Sequence, residues 1–502
     1  MSEPYDTHSL KIVMAASEAV PYAKTGGLAD VVGALPGELA RLGHDVTLIL
    51  PRYRSFHTHA RALRVVGTIS VQTAKGLVDA TLEEELLPTG SHSLPVRILA
   101  VRHDPYFDRE GLYQGLGGDY PDNLDRFVFF SRAILEVVAC LAKMGQQTPH
   151  VLHLHDWQTA LCAVYVKTVE RHRKEFQNIK TVLTLHNVGY QGLFPGNQFA
   201  ATGLPDSLFT PAGLEFYGSV NLLKGGMIFA DVVSTVSPTY AKEIMTSAYG
   251  FGLEGVLAGR KDGVLGITNG IDVEGWNPET DASLPARYSK TDLSGKRVCK
   301  RALQQEVGLP NSAMPLMGVI GRLTSQKGFD LLVEIIPELM ALGVQLVILG
   351  TGDRDLEGRF REAQARYPQQ IGLSLGFDEG LAHRVEAGAD IVVMPSRYEP
   401  CGLTQLYSLR YGTVPIVRKT GGLADTVVPY KPSTLQAGEA TGFHFDEISA
   451  DALLSVVLLA LKVYEDEQAW RSLQQAGMSV DSSWARAARE YTAVFRGVAV
   501  HR

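Results

Sequence analysis

LKIVMAASEAVPYAKTGGLADVVGALPGELARLGHDVTLIL, residues 10–50, holds the unit whose reading decides the fold. Leu10–Ala16 is a short apolar run with the length of a buried strand. A glycine-bearing loop follows. Leu28, Val31, Val32, Leu35 and Leu39 then recur at helical spacing, and Val46–Leu50 is a second strand. Strand, loop, helix and strand in that order build a parallel α/β sheet. The pattern continues through Val151–His155, Thr181–His186, Val232–Val236 and Gly263–Thr268. It restarts at Leu316–Gly321 and runs on through Gln345–Leu349, Ile391–Pro395 and Val414–Val417. The expected fold class is therefore α/β, with two doubly wound, Rossmann-like domains over 1–260 and 261–480. A C-terminal piece, 481–502, carries a helical stretch from Trp484 to Arg496 that has either domain to pack on. Residues 281–296 are polar and irregular, and read as a mobile loop.

The 502 residues suit two or three domains. A net charge of −7 excludes a broadly basic nucleic-acid surface, while leaving room for an anionic substrate held by a few focused cations. Cys140, Cys162, Cys299 and Cys401 are scattered without CxxC pairing, as free thiols in a reducing compartment would be. The opening stretch MSEPYDTHSLKIVMAASE has no basic, apolar leader pattern. The longest uncharged apolar stretch, Ala452–Leu461, is far shorter than the ~18 residues of a membrane span. A cytoplasmic enzyme acting neither on nucleic acid nor at a membrane is expected.

One heptapeptide occurs twice: Lys24-Thr-Gly-Gly-Leu-Ala-Asp30 and Lys419-Thr-Gly-Gly-Leu-Ala-Asp425. Each copy follows an apolar strand and opens a helical pattern. Two readings stand: a turn in which glycines relieve crowding, or an anion cradle of helix-start amides beside a lysine. Gly321-Arg322-Leu-Thr-Ser-Gln-Lys327-Gly328 puts two cations at a strand's carboxyl end, where open α/β sheets bind ligands. Pro395-Ser-Arg397-Tyr-Glu399-Pro-Cys401-Gly-Leu-Thr404 follows another strand. There Glu399 can accept hydrogen bonds from sugar hydroxyls, or cap a helix that starts near Leu403. His153 and His155 share one strand face, so His186 or Asp156 would complete a three-ligand metal set. No Cys or Glu adds a familiar ligand pattern, and no metal is expected. His186 is either a donor to a substrate oxygen or a satisfied core histidine. Gly350-Thr-Gly352 lacks the third glycine of a dinucleotide motif.

These blocks, KTGGLAD near the N-terminus, His155-Asp156-Trp157, His186-Asn187, GRLTSQKG and Glu399-Pro-Cys-Gly-Leu403, resemble in order and spacing the signatures of the ADP-glucose-dependent glycogen/starch synthases, from residue 11 to beyond 430. The resemblance implies the GT-B fold, two Rossmann-like domains facing across a cleft, with ADP-glucose as donor and glycogen or another α-1,4-glucan as acceptor. It implies retention at the transferred glucose and no cofactor. It implies that Lys24 and the Gly26-Gly27 turn lie near phosphates and glucose, and that Arg322 and Lys327 bind the diphosphate. Glu399, with the backbone of Cys401 and Gly402, clamps glucose hydroxyls. Thr420, Gly421 and Gly422 make a second phosphate contact. His186 lies against the donor sugar, Asp156 on the acceptor side, and Phe377 under the adenine. Asp30, Asn187, Asn269 and Leu403 join the implied substrate-binding set. Other members of the wider fold group often carry a second Glu eight residues after the first; here Tyr407 stands there, as in this family.

No protein nucleophile is evident, so front-face substitution by the acceptor's 4-hydroxyl is expected, with the leaving phosphate taking its proton. The alternatives are a UDP-glucose-dependent sucrose- or trehalose-type synthase, an α-glucan phosphorylase using pyridoxal phosphate, and a two-domain sugar- or dinucleotide-binding protein without turnover.

Overall fold

In the first sheet β1 (Lys11–Ala15) lies between two parallel neighbours, β2 (Asp45–Pro51) and β6 (Val151–His155). Ile12 through Ala15 are all buried, because the strand is covered on both faces, and that is why it reads as an unbroken apolar run. The helix Gly27–Arg41 buries Leu28, Val31, Val32, Leu35 and Leu39, the five residues at helical spacing. The sheet also contains β3 (Arg64–Thr73), β4 (Gly76–Leu87), β5 (Val96–Arg102), β7 (Lys180–Leu185), β8 (Val232–Thr235) and β9 (Leu265–Gly266). Its order is β9-β8-β7-β6-β1-β2-β5-β4-β3. The β3–β4–β5 extension is antiparallel and absent from the sequence reading. Its outer strand carries exposed Val65 and alternates exposed with buried positions, so it lacks the apolar run that marks a covered strand.

The second sheet is parallel throughout: β10 (Leu316–Ile320), β11 (Gln345–Gly350), β12 (Ile371–Leu375), β13 (Ile391–Met394), β14 (Val414–Arg418) and β15 (Phe443–Phe445). Its order is β12-β11-β10-β13-β14-β15. The chain winds outward from β10, then returns to β10's other side with β13. The carboxyl ends of β10 and β13 therefore flank the topological switch point, where doubly wound sheets bind their ligands. In the first sheet, β1 and β6 hold the same position. The core of the second unit runs through Val319, Leu332, Leu346, Ile348, Val393, Ile416 and Val457, all fully buried.

The computed structural model describes residues 9–59, 63–90, 93–143 and 148–500; residues 1–8, part of the stretch read for a leader, lie outside them. The contacts divide the chain into two units. The first comprises the described residues up to Val236, Ala241–Ile267 and the stretch from Trp484; the second comprises Ser237–Tyr240 and Thr268–Ser483. The helix Trp484–Val500 belongs to the first unit. There Tyr491 and Phe495 lie 5.3 and 5.2 Å from the His153 ring, and Thr492 Oγ1 is 3.1 Å from His44 Nε2.

Residues 281–293 form neither helix nor strand, as read, but they are pinned to the second unit rather than loose. Asp281 accepts from the Tyr411 hydroxyl at 2.5 Å and pairs with His383 at 2.7 Å. Tyr288 is buried and donates to Tyr411 O, and a helix begins at Ser294. Asp281 and Tyr288 are satisfied inside the unit rather than by water. Among the described residues, no helix is long and apolar enough to cross a membrane.

Candidate active site

At the switch point of the second sheet, two loops are tied together. Arg397 in the loop after β13 makes a two-pronged ion pair with Asp330, both contacts 2.7 Å, and donates its amide to Gln326 O. Gly328 has φ +66, and a Cβ there would stand 2.0 Å from Pro395 O, so the loops meet backbone to backbone. Buried Arg418, from β14, donates to Ser396 O and Arg397 O. The result is a rigid seat for Glu399. Its carboxylate, 5 % exposed, accepts from Lys327 Nζ at 2.6 Å and Ser396 Oγ at 2.9 Å, both on Oε2. Glu399 does not cap the following helix: Thr404–Arg410 has Leu403 at its N-cap, without a side-chain cap. Arg322 is exposed in the same loop as Lys327. Phe377, just past β12, presents its ring with 82 % exposed, and Asn269 is buried in the second unit.

The two copies of the heptapeptide differ physically. In the second, a Cβ on Gly421 would fall 1.9 Å from Glu399 O and one on Gly422 would fall 2.1 Å from Cys401 O. Gly421 also has φ +44, and Gly422 N donates to Glu399 O. These glycines exist so that the turn after Thr420 can lie against the Glu399–Gly402 backbone. In the first copy, a Cβ on Gly26 or Gly27 would meet nothing within 4 Å, and neither residue has positive φ. The chain itself does not require glycine there. A ligand approaching the helix-start amides would, and this favours the cradle reading for the first copy. Lys24 beside it is exposed and paired with Asp30 at 2.7 Å, an ion pair weak enough for an anion to displace.

Gly350 and Gly352 follow the crowding logic of the second copy. Their Cβ positions fall on Gly321 O and Leu323 O, and Gly352 N donates to Glu357. They are packing glycines rather than a dinucleotide loop.

In the first unit the loops after β6 and β7 interlock. Asp156 takes the left-handed backbone, φ +54, which strains a non-glycine residue. Its carboxylate accepts from the amides of His186, at 2.7 Å, and Asn187. Burial outweighs those bonds and pushes its pKa up to about 7. His155 Nδ1 lies 2.9 Å from His186 Nε2, and His153 Nε2 lies 2.7 Å from Thr184 Oγ1. Burial lowers His153 and His186 to about 3, and His155 well below its ordinary value. All three rings are therefore neutral at pH 7, and one ring of the His155–His186 pair donates to the other. That engagement competes with metal ligation, and among the described residues no three His, Cys, Asp or Glu side chains are grouped to hold an ion.

This geometry coincides with a set of known proteins. Residues 11–259 match the family model described as starch synthase catalytic domain, and residues 301–475 match glycosyl transferases group 1. A glycogen synthase of Syntrophotalea carbinolica is 46 % identical over 97 % of this chain and 98 % of its own length. The chain belongs to the glycogen/starch synthase family. A glycogen synthase of Anaeromyxobacter sp. is 45 % identical over 98 % of this chain and all of its own length. The catalytic domain of starch synthase IV from Arabidopsis thaliana, a structure bound to ADP and acarbose, superposes with TM-score 0.87 at 34 % identity, over 98 % of this chain and 100 % of that one. A sucrose-phosphate synthase from Thermosynechococcus elongatus shares the fold alone, at TM-score 0.59 and 18 % identity over 97 % of this chain and 99 % of that one. The expected α/β, GT-B class is thereby met.

Several contributors in this family member escaped the sequence reading. Glu18, buried just past β1, accepts from Thr25 N, Thr25 Oγ1 and the Tyr113 hydroxyl, and so holds the KTGG turn. A lone acid directly after an apolar strand was its only signal. Ser396, inside the Glu399 block but without a role read for it, donates to Glu399, and Arg418, just before the second heptapeptide, holds the backbone of that loop.

Proposed function

We propose that this chain transfers glucose from ADP-glucose to the non-reducing 4-hydroxyl of an α-1,4-glucan, with retention of configuration, releasing ADP. The observation that carries the reading is Glu399 seated against Lys327 at the switch point of the second sheet, in a chain of the length and sequence of glycogen synthases. Lys327 and Arg322 hold the diphosphate, and their charge stabilises the ADP that leaves. Glu399 Oε1 accepts the donor's glucose hydroxyls while Oε2 stays anchored. Cys401, Gly402 and Leu403 offer backbone around the sugar, the turn at Thr420, Gly421 and Gly422 braces that backbone, and Phe377 stacks on adenine. From the first unit, Lys24 and the Gly26-Gly27 turn receive phosphate and glucose oxygens, and Asp30 orients Lys24 or accepts from a glucose hydroxyl. Neutral His186 lies against the donor sugar, with Asn187 and Asn269 in the substrate-binding set. Asp156 orients the acceptor. As the C1–phosphate bond breaks, the sugar takes oxocarbenium character, the 4-oxygen bonds C1 on the same face, and its proton goes to the departing phosphate. Four cysteines outside any disulfide, three of them buried, suit a cytoplasmic setting.

Incubation with radiolabelled ADP-glucose or UDP-glucose and glycogen tests the proposal. Label should enter glycogen from ADP-glucose preferentially, as amylase-sensitive chains. Glu399→Ala should lower kcat by orders of magnitude without unfolding. Equal use of UDP-glucose, or full activity of the folded Glu399→Ala variant, would overturn the reading.

A further inference from the structure

Among the described residues, only three other than glycine take the left-handed backbone: Asp156, Tyr217 and Phe251. The last two are exposed aromatics in the first unit, at the same position of two similar turns. Tyr217-Gly218 joins Glu215–Phe216 to Ser219–Asn221 as a two-residue hairpin, with Phe216 opposite Ser219 and positive φ at both turn residues, +50 and +80. Phe251-Gly252 repeats those angles, +51 and +85, and Leu253 N donates to Gly250 O across the turn. Such turns favour Asn or Asp at the first position. An aromatic there is strained, and strain of this kind gathers at functional sites.

The two turns abut. A Cβ on Gly252 would stand 2.8 Å from the Phe216 ring and 3.6 Å from the Tyr217 ring, and those two rings meet edge to face at 4.7 Å. Tyr217 is 86 % exposed and Phe251 43 %. The patch connects to the loop that follows His186. Gln191 donates to Phe251 O and accepts from Asn221, and Gly192 packs under the ring of Trp157, the neighbour of Asp156. Tyr190, on that loop, is 55 % exposed.

We propose that Tyr217 and Phe251, with Tyr190, form a stacking platform for α-1,4-linked glucose units of the acceptor chain remote from its reacting end. This rests on the glucan-elongating reading above. The apolar face of a pyranose ring lies flat on an aromatic ring, and a polymer acceptor extends well past the residue that reacts. Tyr217, packed edge to face on Phe216, loses less freedom when a chain settles on it than a ring without a neighbour would.

Asn suits left-handed turns, so Tyr217→Asn with Phe251→Asn removes the rings while keeping the backbone. Native electrophoresis through gels containing glycogen reads binding without turnover, and initial rates read KM. The double variant should keep its melting temperature, migrate faster than wild type in glycogen gels, and raise KM for glycogen about tenfold, while Kd for ADP stays unchanged. Tyr217→Phe should behave as wild type. Unchanged retention and KM in the folded double variant overturn the platform, even where the wild type elongates glycogen. A wild type that elongates no glucan at all refutes the underlying reading instead.

Discussion

Alanine at Gly26 and alanine at Gly422 should produce opposite phenotypes, although both residues lie in the same heptapeptide. At Gly422 the added Cβ would sit 2.1 Å from Cys401 O and 2.5 Å from Cys401 Cα. Backbone cannot swing aside as a flexible side chain does, so the loop carrying Glu399 must shift. Overpacking typically costs about 1–3 kcal/mol, and contact this close belongs at the upper end or beyond it. In a domain of this size, 3 kcal/mol lowers the unfolding midpoint by roughly 6–12 °C. At Gly26 and Gly27 the Cβ meets nothing, and φ at Gly26 is an ordinary extended −160°. Alanine there should leave stability unchanged or raise it by about 0.4–1 kcal/mol by restricting the unfolded chain. It should nonetheless cut kcat/KM for ADP-glucose sharply, because the methyl group occupies the space a phosphate or sugar oxygen needs. Calorimetry of Gly26→Ala, Gly27→Ala and Gly422→Ala, with kcat/KM for each, separates the cases. Full activity in Gly26→Ala and Gly27→Ala would refute the ligand argument for the first copy. An unshifted melting transition in Gly422→Ala would refute the packing argument for the second.

Turnover should survive exhaustive EDTA treatment, since Arg322 and Lys327 supply the positive charge; loss restored by Mg²⁺, Mn²⁺ or Zn²⁺ would revive a metal role for His153 and His155. The kcat/KM for glucan should rise with pH through about 7, where Asp156 ionises, and Asp156→Asn should lose that limb along with most of the activity. Acid should weaken the first unit. His153 and His186 protonate near 6.5 when unfolded but only near 3 when folded. Between those values the unfolded chain binds more protons, so stability falls with pH by up to about 1.4 kcal/mol per unit for each. Asp156, raised rather than lowered, opposes this between about 7 and 3.8 but offsets only one such group. Urea midpoints from pH 7 to 4 check the sign, and a midpoint that climbs on acidification would contradict it.

Most of the parallel strands, and the motifs at their carboxyl ends, were legible in the sequence, because a strand covered on both faces must be apolar along its length; Ile371–Leu375 and Phe443–Phe445, only partly covered, were not. Val151–His155 appears in the structure with the bounds read from its residues. The order of the strands was not legible, since adjacency depends on crossovers that no local pattern records. That order is what brings Lys327 and Glu399, 72 residues apart, to 2.6 Å. The outer strand Arg64–Thr73 escaped because it faces water and carries no apolar run, whereas the buried run Ile98–Val101 in Val96–Arg102 was a signal that went unread. The heptapeptide repeat shows the division most plainly. Sequence determined that two identical turns exist, each able to open a helix. Only tertiary structure decided that Gly421 and Gly422 press against the Glu399–Cys401 backbone while Gly26 and Gly27 face open space. A glycine's purpose lies in what stands where its side chain would be, and that neighbour comes from elsewhere in the chain, or from outside it.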